Sequence, residues 1–237
     1  MCTAVASAGM TAARYGRQSF LESLSDTDRQ ALLETGHLRR WDRGDSLVRE
    51  GDRADSATVL LAGLVKVHKS TSEGADVVLG LSGPGDLLGE VSTVRGATRS
   101  ASVTALEEGQ GLVLAVPDLR AFLASHPQAA LALLELTLAR LYAADARRLE
   151  FASTESLARV TSRLVELVER FGQARDAGQI EVALPFNQEE LASWSASSRE
   201  STARALRTLR ELGLIQTHRL RLTVLDLDGL RLHAARL

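Results

Sequence analysis

Glycine is spread unevenly along this chain, and that unevenness constrains the fold more than any other feature. Eleven of its 18 glycines lie from Gly44 to Gly111, and only four lie beyond. Glycine punctuation between short β-branched runs marks an all-β region. Strands are expected at 57–61, 64–69, 77–81, 101–106 and 112–116. Gly44-Asp45, Gly51-Asp52 and Gly85-Asp86 read as tight turns, and Gly63 and Gly74 sit at hairpin positions. The pattern predicts a jelly roll or small antiparallel barrel. Ahead of it, Ser25 can cap a short helix running through Leu33, with Asp28 three residues on.

The reverse holds from Pro127 to Ser153, where no glycine or further proline occurs. Leu131, Leu134, Leu138, Leu141, Asp145, Arg148 and Ala152 recur at three- and four-residue steps, the seam of a long heptad-like helix. Such a seam can pack on its own barrel or on a second copy. The length of the helix favours the second, so a parallel homodimer is expected. A further helix is expected over 157–171, with Gly172 as its C′ residue, then a polar connection over 173–178. Phe186 and Asn187 open the next helix, Asn187 as cap and Glu190 at the capping-box position. Ser198 caps another over 199–212, stopped by Gly213. Two short strands at 215–218 and 222–225, joined through 219–221, precede a closing helix over 228–235. Two helices around Ser195-Ala196-Ser197 followed by a hairpin read as a winged helix-turn-helix. The fold class is therefore α+β. Its parts are a tail at 1–19, a β-roll at 20–127, a dimerisation helix at 128–153 and a winged helix-turn-helix at 154–237.

Composition narrows function by exclusion. A chain of 237 residues holds one large or two modest domains. The single cysteine, Cys2, excludes an internal disulfide framework and any cysteine-built metal centre. No apolar run is long enough to span a bilayer, and the small-residue-rich N-terminus lacks the pattern of a signal peptide, so no membrane partner and a cytoplasmic location are expected. The five histidines are dispersed, and no paired-carboxylate or Ser/His/Asp constellation stands at a catalytic spacing. An enzyme is not expected, and no metal site is. A net charge of −2 says nothing of nucleic acid, so any such signal must be local.

Two local signals carry chemistry. In the first, Gly89-Glu90-Val91 opens a stretch that closes with Arg99-Ser100-Ala101. Glycine allows close backbone approach. Glu90 can accept from a ribose hydroxyl, Arg99 can fork onto a phosphate, and Ser100 adds a hydroxyl. The bland alternative is a strand–turn–strand with a surface salt bridge. The second signal lies at 187–221, where six arginines stand against four glutamates. A helix begun by Ser198 and lying in a major groove turns Arg199, Glu200 and, one turn on, Arg204 toward base edges. Gln188, Ser198, Arg219 and Arg221 are placed to meet the DNA backbone.

These features together resemble the cyclic-AMP receptor protein and fumarate–nitrate regulator (CRP/FNR) superfamily of bacterial transcription regulators, from Phe20 to Leu230. The stretch at 89–101 resembles its phosphate-binding cassette. Ser198-Arg199-Glu200-Ser201-Thr202-Ala203-Arg204 is similar to the recognition helix of the receptor branch, whereas the fumarate–nitrate branch carries a serine where Ala203 stands here. The resemblance implies a cyclic nucleotide effector (cyclic AMP first, cyclic GMP or a cyclic dinucleotide otherwise), double-stranded DNA with palindromic TGTGA-type half-sites, and RNA polymerase as a partner. It also implies a base-reading pair on the long helix. Matching Arg140-Leu141 to the family puts Ala144 and Asp145 there; counting back from Val160-Thr161-Ser162-Arg163 lands on Arg148 and Leu149. Neither register supplies the usual hydroxyl pair. Asp145 can accept from a base or pair with Arg148, and Arg140 can point at the phosphate or at Glu90. A regulator that binds DNA without cyclic AMP is the alternative. The usual glycine of the helix-turn-helix turn is here Ala196.

Overall fold

The computed structural model describes residues 19–235 except 73, 75, 176, 177, 185 and 186. The expected tail and Phe186 lie outside the described residues, Ser19 excepted. Two short helices open the fold, α1 (Phe20–Ser23) and α2 (Asp26–Thr35), and the Ser25 hydroxyl accepts from Asp28 N at 3.1 Å as its cap. The roll follows as β1 (His37–Trp41), β2 (Ser46–Val48), β3 (Ser56–Ala62), β4 (Val65–Ser70), β5 (Asp76–Ser82) and β6 (Leu87–Leu88). Helix α3 (Glu90–Arg95) interrupts it before β7 (Ser102–Ala105) and β8 (Gly109–Ala115).

Among the described residues the roll is two four-stranded antiparallel sheets, ordered β1-β8-β3-β6 and β2-β7-β4-β5. Trp41, Leu60, Val65, Leu88, Val103 and Ala105 form one apolar cluster between them. The turn glycines 44, 51, 63, 74 and 85 all adopt positive φ, as the sequence pattern requires. Gly63 has a second constraint, since a Cβ there would meet Glu108 O at 2.7 Å.

Helix α4 (Val116–Ser125) leads into α5 (Pro127–Ser153), a single helix of 27 residues. Its buried positions are Ala129, Leu133 and Ala139, of which the first two join a core cluster of the roll. The seven seam residues listed by their heptad spacing are all exposed. Leu149 and Phe151 are exposed near its end as well.

The C-terminal part comprises α6 (Ser156–Phe171), β9 (Gln173–Ala174), β10 (Ile180–Ala183), α7 (Gln188–Trp194), α8 (Arg199–Glu211), β11 (Ile215–His218), β12 (Arg221–Val224) and α9 (Leu227–Ala234). Three points differ from the sequence reading. Gly172 is the cap itself, in extended backbone at φ −69°, and glycine is needed there because a Cβ would collide with the Val168 carbonyl oxygen and meet Ile180 Cγ2 at 2.6 Å. The stretch expected as a polar connection contains β9, which pairs with β10. The hairpin's second strand begins at Arg221, which pairs with His218 across a two-residue tip.

This part is fused to the roll. Leu64, Val78, Leu81 and Leu106 of the roll share one core with Leu164 and Leu167 of α6, Trp194 of α7 and Leu209 of α8. Lys66 on β4 pairs with Glu190 at 2.5 Å, and the Ser193 hydroxyl accepts from Val78 N at 3.0 Å and donates to Asp76 O at 2.9 Å.

Candidate functional site

Arg99 is built into the roll by its backbone. Its N–H donates to Asp52 O at 2.9 Å, and its carbonyl accepts from Gly51 N at 3.0 Å. The guanidinium is only 7% exposed. Nη2 donates to the Ser56 hydroxyl at 3.2 Å and reaches Asp55 at 3.5 Å, whereas Nη1 is buried with no hydrogen-bond partner. A buried cationic donor left unpaired is costly, so this arrangement favours an incoming anion. Gly89, at φ +82°, lies directly beneath Nη1, and a Cβ there would collide with it. Both the backbone conformation and the close approach require glycine.

Glu90 starts α3 and is 6% exposed. Its Oε1 accepts from Arg140 Nη1 at 2.5 Å, and Arg140 Nη2 donates to Leu87 O at 3.1 Å. The long helix is thereby clipped to the cassette between residues 50 apart in sequence. The Thr93 hydroxyl donates to Gly89 O at 2.9 Å, and Arg120 donates to Thr93 O at 2.8 Å, which holds the helical turn in place. The bland strand–turn–strand does not form. Val91 and Ser100 are exposed and Ala101 is half-buried.

On the long helix, Ala144 lies one turn beyond Arg140 on the same face and is half-buried. Asp145 is exposed on the seam and pairs with Arg148 of its own helix at 2.8 Å. Leu149 is exposed.

The second candidate surface is α8. Thr202, Ala205, Leu206 and Leu209 bury one face by i, i+3, i+4, i+7 spacing. The Ser198 hydroxyl accepts from Ser201 N at 3.1 Å as the cap. Arg199, Glu200, Arg204 and Arg207 are exposed on the free face, with Arg204 3.8 Å from Glu200. Asn187 and Glu190 form the capping box of α7, and Gln188 is exposed beside them. On the hairpin, Arg219 is exposed at the tip and Arg221 reaches Glu181 at 3.3 Å.

The turn between α7 and α8 is held by Arg159, a residue with no signal in the local sequence. Ala196 takes the left-handed conformation, φ +47°, which glycine would adopt without strain. Arg159 of α6 supports it, donating to Ser195 O at 3.1 Å and Ala196 O at 3.0 Å. An i to i+37 staple leaves no local sequence signal. Relief of left-handed strain, offset by added unfolded-state entropy, should make Ala196→Gly more stable by about 0.5–1 kcal/mol. A thermal melt checks this; a lowered midpoint would show that Arg159 has already removed the strain.

Among the described residues no group of three or more His, Cys, Asp or Glu is placed to hold a metal, and no helix is long and apolar enough to cross a membrane.

Comparison with known proteins now adds to this geometry. Residues 38–126 match the cyclic nucleotide-binding domain family, and residues 158–232 match the Crp-like helix-turn-helix domain family. The chain belongs to the CRP/FNR family of transcription regulators. This CRP/FNR regulator is 28% identical over 174 residues to the CRP-like cAMP-activated global transcriptional regulator of Mycobacterium tuberculosis, covering 73% of this chain and 77% of that one. It is 29% identical over 178 residues to the cyclic AMP receptor protein of Thermus thermophilus, covering 75% and 79%. Among solved structures, FixK2 from Bradyrhizobium japonicum shares the fold with a TM-score of 0.75 at 19% identity, covering 85% of this chain and 98% of that one. A CRP-family regulator from Thermus thermophilus aligns with a TM-score of 0.69 at 26% identity, covering 83% and 96%. The CRP/FNR regulator therefore couples a cyclic nucleotide-binding domain to a DNA-binding helix-turn-helix, in a family that is not enzymatic.

Proposed function

We propose that this regulator is a homodimer whose roll takes a cyclic nucleotide and thereby controls binding to a two-fold DNA operator. The observation that carries the reading is the buried, unpartnered Nη1 of Arg99 above Gly89 and beside Glu90. Phosphate there would accept from Arg99 and Ser100, and the ribose hydroxyl would donate to Glu90. Because Arg140 already holds Glu90, ligand contacts act directly on the long helix. A ligand shifts the population only through its different affinity for the two states.

The exposed apolar seam of α5 supports dimerisation through that helix, since a stripe of Leu131, Leu134, Leu138 and Leu141 is costly to leave in water. Two recognition helices would then reach half-sites about 34–36 Å apart. Arg199, Glu200 and Arg204 read bases of a TGTGA-type half-site, while Gln188, Ser198, Arg219 and Arg221 hold the backbone. RNA polymerase is the expected partner in the cytoplasm. Cyclic AMP is the first candidate effector, after the described activation of the Mycobacterium tuberculosis relative.

A second reading has its own observation. Ala144 offers no hydroxyl, and Asp145 is engaged by Arg148, so the base end differs from that of a cyclic-AMP receptor. Under this reading the same dimer binds DNA constitutively or answers to cyclic GMP or a cyclic dinucleotide. Calorimetry of the protein against cyclic AMP, cyclic GMP and cyclic dinucleotides, paired with gel shifts in each, separates the two. No binding and equal DNA affinity throughout would remove the ligand switch. On the DNA side, Arg204→Ala should lose about 1–3 kcal/mol of discrimination at one guanine. An unchanged ratio between cognate and scrambled duplexes would show that another side chain reads that base.

A further inference from the structure

A cleft of about 820 Å³ separates the roll from the hairpin of the DNA-binding part. Its walls carry opposite charge. On the hairpin side Arg175, Arg219 and Arg221 line the cleft with one carboxylate, Glu181. On the roll side stand Glu22, Asp86 and Glu107. One ion pair spans the gap, from Arg170 Nη2 to Asp86 Oδ2 at 2.8 Å, and Arg170 also donates to Leu81 O at 2.9 Å.

We propose that the acidic wall of the roll is an intramolecular seat for the hairpin arginines, which competes with DNA phosphates for them. The inference rests on the reading that Arg219 and Arg221 contact the DNA backbone. A carboxylate presents the same anionic oxygens to a guanidinium that a phosphate does. Glu181 already acts in this way, accepting from Arg175 Nη2 at 2.9 Å and Arg221 Nη1 at 3.3 Å. The hydrogen bond from Arg175 and the nearby positive charges hold its carboxyl below the usual range. Three guanidiniums and a single carboxylate leave that side of the cleft with an excess of positive charge, and Glu107 of the roll lines the same cleft. Whatever pulls the hairpin from the roll then frees cations for DNA, and whatever closes the cleft withdraws them.

Glu107 provides the test, because it lines the cleft without a hydrogen-bond or ion-pair partner among the described residues. Its neighbour Glu108 is exposed and does not line the cleft, so Glu108→Gln changes net charge equally. Gel shifts use a duplex with a palindromic TGTGA-type site and a scrambled duplex. At about 50 mM salt, Glu107→Gln should bind both duplexes about two- to fivefold more tightly than Glu108→Gln, and the gain should shrink toward about 200 mM. The gain should vanish when Arg219 and Arg221 are both alanine. Equal effects of the two glutamine variants, or a gain that survives loss of both arginines, overturns the seat. Loss of both arginines in the parent should itself weaken DNA binding and flatten its salt slope; if it does neither, the backbone reading of the hairpin fails, independently of Glu107.

Discussion

Replacing Arg99 with alanine is expected to weaken nucleotide binding by at least about an order of magnitude while the fold survives. The side chain is buried, yet among the described residues it bonds only Ser56 and the exposed Asp55. Its backbone hydrogen bonds to Gly51 and Asp52 do not depend on the guanidinium. Truncating one member of a desolvated charge pair costs about 2–5 kcal/mol of binding, a loss of roughly 30-fold to several thousandfold. Calorimetry against the nucleotide that the parent binds reads the loss directly. Arg99→Lys should recover part of it, since lysine keeps the charge but not the fork. An alanine variant that binds as the parent does would place the phosphate elsewhere.

The second large effect is on stability. At the junction of α5, α6 and β5, Arg163 lies buried between Glu150 at 2.5 Å and Glu166 at 2.9 Å. Arg147 joins the cluster, pairing with Glu166 at 2.9 Å and donating to Leu79 O at 2.6 Å. Burial pushes Arg163 below the usual arginine range, and Glu166 and Glu150 push it back. Arg163→Met keeps most of the stem volume but leaves Glu150 without its partner. Breaking such a buried pair should cost about 3–5 kcal/mol. For a chain of this size that is a fall of about 6–20 °C in the melting midpoint. Adding Glu150→Leu should restore part of the loss, because a wholly apolar site has no stranded charge. A midpoint unchanged in Arg163→Met would show that solvent screens the cluster.

Much of the local structure was legible because its causes are local. Ser25, Asn187 and Ser198 each cap a helix through a bond to the residue three positions on; the spacing to an acidic residue marks the first two, and residue type and position mark Ser198. The turn glycines follow from φ alone. Elements with weak periodicity were missed. Strand β1 exposes four of its five residues, so it lacks the alternation that marks a half-buried strand. Strand β9 has only two residues, too few for any period. Gly172 needs glycine for a reason other than a left-handed φ: a Cβ would crowd the Val168 carbonyl of its own helix and the Ile180 side chain of β10.

The candidate sites divide along the same line. The amino-acid sequence by itself determined the cassette residues, the helix caps, the heptad spacing of the long helix and the order of arginines on the recognition helix. Those features depend on residue type, backbone preference and contacts within a few positions. Tertiary structure alone decided that Arg140 rests on Glu90, one of its two expected targets, that Arg99 keeps one nitrogen unpartnered, and that Arg163 is shared by two helices. It also set an acidic wall against the hairpin arginines across one cleft. Each of these depends on contacts between separate elements, and which long side chains meet depends on how the apolar faces between them pack.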